Sequence, residues 1–159
     1  SPRANWRTGT RSDRWARHEY VNGRAIQSSY SGRMASPHPF RTAAENKDLD
    51  LLTETLREDV VLHSPVLFRG FEGRDTVATV LTHVAATLEN FSYTDELAEG
   101  DTVVLRFKAT VGDRELEGID FLELDDEANV RELTVFMRPF SALTAFNEQM
   151  KARLEAFEG

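Results

Sequence analysis

The sequence predicts an α+β fold in which about three helices occupy the N-terminal half, an antiparallel sheet follows, and one more helix ends the chain. Two patterns support this prediction. Apolar residues recur at helical spacing over residues 77–88, and they alternate with polar residues over 103–111. The pair Gly112-Asp113, which follows the alternating segment, predicts a two-residue hairpin.

Two shorter helices and a strand are predicted before the long helix. Pro37 suits the first turn of the first helix, and Asp48 suits the N-cap of the second. Residues 60–64, which begin with Val-Val-Leu, predict a strand, which Pro65 ends. A loop punctuated by glycines, residues 68–73, leads into the long helix.

The second half of the chain predicts a four-strand meander and a final helix. The strand segments share apolar alternation and are separated by turns rich in Gly, Asp and Asn; they are residues 91–97, 103–111, 116–124 and 130–137. Pro139 ends the last of them. Ser141 is a suitable N-cap for a helix with a regular apolar stripe.

Composition suits one globular domain in a chain of 159 residues, 40% of which are hydrophobic. No apolar run approaches the roughly 20 residues that a membrane span needs. The Arg-rich start lacks the apolar segment of a signal peptide. There is no cysteine, and therefore no disulfide or thiol chemistry. We expect a cytoplasmic protein without a membrane partner.

Charge divides the chain into two parts, which we predict to be a flexible basic extension, residues 1–36, and a folded domain, residues 37–157. Residues 1–33 carry seven arginines and two acids, a net charge of +5, whereas the rest carries −13. Such an acidic domain argues against nucleic acid as the main partner. An alternative is that the extension is a basic arm for an acidic surface, such as a neighbouring subunit or RNA.

Asp120 is the most informative residue because it interrupts the apolar face of its strand. Its same-face neighbours at a spacing of two are Leu116, Gly118, Leu122 and Leu124. A carboxylate in such a place must be paired, become neutral through a raised pKa, or line a cavity. We therefore predict Asp120 as a candidate acid or base.

The hairpin register gives a second reason to place Asp120 inside. With 112–113 as the loop, Leu105 lies opposite Asp120 and Phe107 opposite Gly118. Opposed residues share a face, so the predicted pocket-lining set includes Leu105, Phe107 and, on the Asp120 strand, Leu122.

The opposite face of this hairpin has an apolar centre formed by Val104, Ile119 and Phe121. An apolar patch on a sheet face that is not needed for the core is typical of an interface. We predict a homodimer through this outer face.

Two registers of the last strand remain open. A five-residue loop places Thr134, Phe136 and Arg138 on the Asp120 side, and a four-residue loop places Leu133, Val135 and Met137 there. The first register adds Phe136 to the pocket and gives Asp120 a cationic partner in Arg138. The second leaves the carboxylate among apolar groups, which raise its pKa.

His63 is a further catalytic candidate, because it ends the first strand and could reach the same pocket. No group of His, Asp and Glu shows the spacing of metal ligands. We expect neither a metal nor another cofactor.

Two parts of the chain carry a family resemblance. Residues 118–126 with 130–139 resemble the last hairpin of SnoaL-like proteins, which belong to the nuclear transport factor 2-like (ketosteroid isomerase-like) superfamily. Residues 59–65 and 73–75 are similar to its first strand and long helix. The resemblance covers roughly residues 37–157. It implies a cone-shaped, curved antiparallel sheet wrapped on the helices, an apolar pocket and a dimer through the outer sheet face.

The resemblance also implies a class of chemistry. Relatives include polyketide cyclases, ketosteroid isomerases and limonene epoxide hydrolases, and pocket Asp residues act as acid or base in several of them. We therefore expect acid–base chemistry on a small apolar, polyketide- or terpenoid-like substrate with Asp120 as base, in a cofactor-independent isomerase, cyclase or hydrolase. The alternative is a non-catalytic ligand-binding or dimerisation module of the same fold.

Overall fold

The computed structural model describes residues 36–158, so the predicted basic extension lies outside the described residues except for Ser36. The described part contains four helices and six strands, in the order α1 (Pro39–Asn46), α2 (Leu49–Glu54), β1 (Leu56–His63), β2 (Phe71–Glu72), α3 (Arg74–Thr87), β3 (Glu89–Glu99), β4 (Thr102–Val111), β5 (Arg114–Leu124), β6 (Val130–Arg138) and α4 (Phe140–Glu158). None of these helices is long and apolar enough to cross a membrane.

The strands form one curved, unclosed sheet in the order β2-β1-β6-β5-β4-β3. Helices pack against one face, which we call the inner face, and the other is the outer face. The predicted α+β class is confirmed. One pair departs from the antiparallel expectation, because β1 pairs in parallel with β6. The short β2, inside the predicted loop, pairs with β1 over two positions.

The first helix begins slightly later than expected, with His38 as its N-cap and Pro39 in its first turn. His38 Nδ1 accepts a hydrogen bond from the Phe40 amide at 3.1 Å. The other ring nitrogen, Nε2, therefore carries the proton and donates to the Ala128 carbonyl at 3.0 Å. One buried side chain thus ties the start of α1 to the turn between β5 and β6. In α2, the predicted cap is present, since Asp48 accepts from the Leu51 amide at 3.0 Å.

The hairpin of β4 and β5 has the predicted register. Leu105 lies opposite Asp120 and Phe107 opposite Gly118, and the pairing continues without interruption to the turn. Gly112 in that turn has φ of +58°, a conformation that favours glycine.

A β-bulge decides the register of β6. Leu124 pairs with Val130, as a five-residue loop requires, but the next pair is Glu123 with Glu132. Arg131 is therefore the extra residue, and the rest of β6 is shifted by one position. Asp120 then lies opposite Val135, so the register that would place Phe136 and Arg138 on the inner face is wrong.

Gly118 makes room on β5 for the Phe107 ring of β4 and for the backbone of β6. A Cβ atom at this position would collide with the Phe136 carbonyl oxygen and would lie 2.9 Å from Phe107 Cε1. The Phe107 ring, which is 1% exposed, occupies the space above the glycine. This packing holds the strand two residues before Asp120 in place.

We expect Gly118→Ala to lower the free energy of unfolding by about 3 kcal/mol or more, because the methyl group meets both a backbone oxygen and a fully buried ring. Gly100→Ala is the control, since a Cβ there meets nothing within 4 Å and costs only about 1 kcal/mol for its positive φ. Urea denaturation of both variants tests the difference. Equal losses in the two variants would contradict this account of the packing.

Candidate functional site

A cavity of about 190 Å³ lies between the inner face of the sheet and the four helices. Its walls are almost entirely apolar. The apolar side chains that line it include Phe40, Ala43, Ala44, Leu49 and Leu52 from the first two helices, Val80, Leu81 and Val84 from α3, Phe146 and Met150 from α4, and Leu62, Phe91, Phe107, Val135 and Met137 from the sheet.

Two polar side chains meet in the buried part of this cavity. The Tyr93 hydroxyl, from β3, donates a hydrogen bond to Asp120 Oδ2 at 2.6 Å. Both residues line the cavity and are less than 9% exposed. Within residues 36–158 this is the single hydrogen bond of the Asp120 carboxylate, and no cationic group forms an ion pair with it. The second carboxylate oxygen, Oδ1, has no hydrogen-bond partner among these residues.

Burial dominates the electrostatics of the pair. Removal from water raises the pKa of Asp120 to about 7, against the smaller opposing effect of the Tyr93 hydrogen bond. Burial also raises the pKa of Tyr93 well above its usual value, and the adjacent Asp120 adds to the shift. At neutral pH Tyr93 therefore keeps its proton, while Asp120 populates both its forms. A group with this pKa can accept and return a proton at physiological pH.

Helix α1 and an aromatic neighbour hold Tyr93 in position. Glu45 Oε1 accepts from the Tyr93 amide at 3.1 Å, and Arg41 donates to the Tyr93 carbonyl at 3.4 Å. The Arg41 guanidinium lies 6.0 Å from the centre of the phenol ring. On the cavity side, the Phe91 ring meets Tyr93 edge to face, with the centroids 4.9 Å apart. The phenol is thus fixed by groups that do not touch its hydroxyl.

The cavity opens to solvent where its lining residues are exposed. Lys47, at the end of α1, Leu67, in the loop after β1, and Lys151, on α4, are all exposed and all line the cavity. Asn147, half-buried and one turn before Lys151, also lines it. We call these four residues the mouth.

The structure does not bring the other predicted catalytic residues to Asp120. Arg138 lies on the outer face, where it donates to Glu117. His63 also lies outside the cavity lining; its side chain is 40% exposed and Nε2 is 3.8 Å from Glu132 Oε2. Both alternate with inward-facing neighbours, so the strand period places them away from the pocket.

Of the four predicted lining residues, only Phe107 lines the cavity. Leu105 and Leu122 are on the correct face but are fully buried in the core instead. Phe136 is on the outer face and is 56% exposed, because the Arg131 bulge reverses its direction. Among the described residues, no group of three or more His, Asp or Glu side chains could hold a metal ion.

Tyr93 was missed by the sequence reasoning. If β3 paired with β4 regularly from the turn onward, Asp95 would lie opposite Arg106. The same register would then place Tyr93 opposite Lys108 on the outer face. The structure keeps the first of these pairs, but a bulge then brings Tyr93 opposite Phe107. One feature of the sequence does point to Tyr93. Phe91 and Tyr93 are two aromatic residues on one face of a strand that is otherwise rich in polar residues.

Comparison with known proteins agrees with this architecture. The family model for the SnoaL-like domain matches residues 39–132. The chain belongs to the SnoaL-like family. Its fold is that of the nuclear transport factor 2-like superfamily.

Several solved structures have a similar fold. A protein from Pseudomonas aeruginosa described as a steroid delta-isomerase is 36% identical, with a TM-score of 0.71 over 74% of this chain and 88% of that one. An uncharacterised cystatin-fold protein from Silicibacter pomeroyi is 28% identical, with a TM-score of 0.73 over 79% and 89% of the two chains. A SnoaL-like protein of unknown function from Burkholderia thailandensis is 14% identical, with a TM-score of 0.55 over 64% and 90%, and shows the fold alone. No functionally curated protein matches the sequence significantly.

The raised pKa of Asp120 predicts a specific pH dependence of stability. An unfolded Asp titrates near 3.9, so between about pH 4 and pH 7 the folded chain holds the extra proton and stability falls as pH rises. Asp120→Asn removes this loss while keeping an oxygen that accepts from Tyr93. We expect the free energy of unfolding of the variant, relative to wild type, to rise by on the order of 4 kcal/mol between pH 4 and pH 8.

Urea denaturation of the variant and of wild type at both pH values measures this difference. The other titratable groups are common to the two proteins, so their contributions cancel. The matched control is Asp126→Asn, which removes an exposed carboxylate in the turn before β6 and should leave the pH dependence unchanged. A relative stability of Asp120→Asn that does not vary with pH would refute the raised pKa.

Proposed function

We propose that this protein is a cofactor-independent isomerase that moves a proton at a carbon next to the carbonyl group of a small apolar molecule, with Asp120 as the base. The observation that carries the proposal is a carboxyl group with a pKa of about 7 in an apolar cavity, held by a neutral phenol. A base of this pKa is present in useful amounts at neutral pH and remains strong enough to attack a carbon acid.

In the proposed reaction, Asp120 Oδ1 takes a proton from the carbon next to the carbonyl. The electron pair of that C–H bond moves into the carbonyl to form an enolate, and Asp120 becomes a neutral acid. Return of the same proton to a different carbon of the conjugated enolate completes an isomerisation, and no atom or electron is lost. The apolar walls exclude water, which would otherwise exchange with the proton.

Tyr93 acts as a positioning residue in this proposal. Its hydroxyl fixes Oδ2 and so directs Oδ1 toward the ligand. Because the hydrogen bond stabilises the ionised form, it also keeps the pKa of Asp120 lower than burial alone would. The 36% identity to a protein described as a steroid delta-isomerase supports isomerase chemistry as the reaction class.

We expect Asp120→Asn to lower kcat for a β,γ-unsaturated ketone by about 10²-fold or more, since the general base is lost. Tyr93→Phe should lose less activity than Asp120→Asn. The pKa of Asp120 in the pH profile of its kcat/KM should be higher than in wild type, because a hydrogen bond to the carboxylate is removed. Conversion to the conjugated ketone is followed by ultraviolet absorbance. His63→Gln, outside the cavity, is the control and should retain full activity.

Turnover that is unchanged in Asp120→Asn would refute the assignment of the base. If wild type binds such ketones but converts none, the non-catalytic ligand-binding module becomes the better description.

We also propose that the protein is a homodimer through the outer sheet face. Ile119 and Phe136 lie side by side on this face and are 37% and 56% exposed. Val104 of β4 and Phe121 of β5 lie opposite each other on the same face. Both are half-buried and extend the apolar surface. A surface of this kind gains stability when a second copy covers it.

Phe136→Glu places a charge in the middle of this patch, and we expect it to convert a dimer into a monomer in sedimentation equilibrium. Phe68→Glu alters another exposed aromatic residue, in the loop after β1, and should leave the dimer intact. A wild-type protein that is monomeric at high concentration would exclude this interface.

A further inference from the structure

Lysine is rare in this chain but common at the mouth of the cavity. The whole chain contains three lysines, Lys47, Lys108 and Lys151, against sixteen arginines. Two of the three line the cavity mouth, from different helical elements. Lys108 is on an exposed position of β4, outside the cavity lining.

The ammonium groups of both mouth lysines lack a side-chain partner in the part of the chain that the structure describes. Within residues 36–158, neither forms an ion pair or side-chain hydrogen bond, whereas arginines such as Arg41 and Arg106 are paired with acids. The carboxylate next to Lys47, that of Asp48, accepts from the Leu51 amide as the α2 cap. Two unpaired positive charges thus lie at the mouth of a protein whose net charge is −8.

Polarity in the cavity lining differs between its buried and its exposed residues. The buried lining residues include the Tyr93–Asp120 pair, most of the lining is apolar, and Lys47, Lys151 and Asn147 are exposed or half-buried. Among the lining residues, Asp120 is the one acid. A wholly apolar ligand would gain nothing from the ammonium groups and the amide at the mouth.

We propose that the natural ligand is an amphipathic anion, a small apolar molecule whose exposed end carries a carboxylate that Lys47 and Lys151 attract. The apolar body fills the cavity and its reactive carbonyl end reaches Asp120, so this inference names the substrate class and rests on the proposed function. Lysine suits the task because its long apolar stem can follow the cavity wall while the ammonium group remains in water.

Isothermal titration calorimetry with naphthol and hydroxynaphthoate tests this inference. The two probes share a fused ring and a hydroxyl group and differ by one carboxylate. We expect hydroxynaphthoate to bind more tightly to wild type. Its Kd should rise about threefold in Lys47→Met and in Lys151→Met, and about tenfold in the double variant. Naphthol should bind all of these proteins equally, and added salt should weaken hydroxynaphthoate alone.

Two further variants serve as controls. Lys108→Met removes the remaining lysine of the chain and should change neither Kd. Ala44→Phe fills the cavity and should abolish binding of both probes, with circular dichroism confirming that the variant is folded. Binding of both probes that is unaffected by Ala44→Phe would overturn the placement of the ligand in this cavity.

The outcomes separate this inference from the proposed reaction. Equal Kd changes for the two probes, or none, in the lysine variants overturn the amphipathic anion, even if the enzyme still isomerises ketones. Conversely, a carboxylate preference that depends on both lysines supports the inference even if Asp120→Asn shows that the proposed base has no role.

Discussion

The uninterrupted pairing of β4 with β5 is the constraint on which the site depends. The two strands match residue for residue from the hairpin turn to the far end, without a bulge. Because side chains alternate along a strand, a slip of one position would turn every side chain of β5 to the opposite face. The fit of the Phe107 ring over Gly118 opposes such a slip. Asp120, two residues further on, is therefore held toward the helices.

A buried carboxylate is costly, and here one neutral donor accommodates it. An arginine partner would keep the carboxylate ionised and depress its pKa, whereas the Tyr93 phenol only partly offsets the effect of burial. The charges that hold Tyr93, those of Arg41 and Glu45, lie behind it on α1. Arg41 and Glu45 shift the pKa of Tyr93 in opposite directions, whereas the pKa of Asp120 is set by its burial and by the Tyr93 hydrogen bond.

The cavity lies between the inner face of the same curved sheet and the helices. Protein interiors are normally packed to the density of organic crystals, so a space of about 190 Å³ beside a titratable pair is the kind of place that ligands occupy. Helices α1 and α4 line it with apolar residues, and Lys47 and Lys151 are at its mouth. One cavity therefore contains a buried carboxyl group of raised pKa and two exposed lysines in its lining.

The sequence by itself determined the fold class, the order of the elements and the inward direction of Asp120, because these depend on local periodicity and on one regular two-residue hairpin. The tertiary structure decided which residues meet Asp120. A bulge in β3 turns Tyr93 inward, and a bulge at Arg131 turns Arg138 and Phe136 outward. A bulge adds one residue to one strand and reverses every face beyond it, yet leaves the alternation on either side unchanged. Its position is set by the packing of neighbouring strands and helices, which no single strand's sequence records.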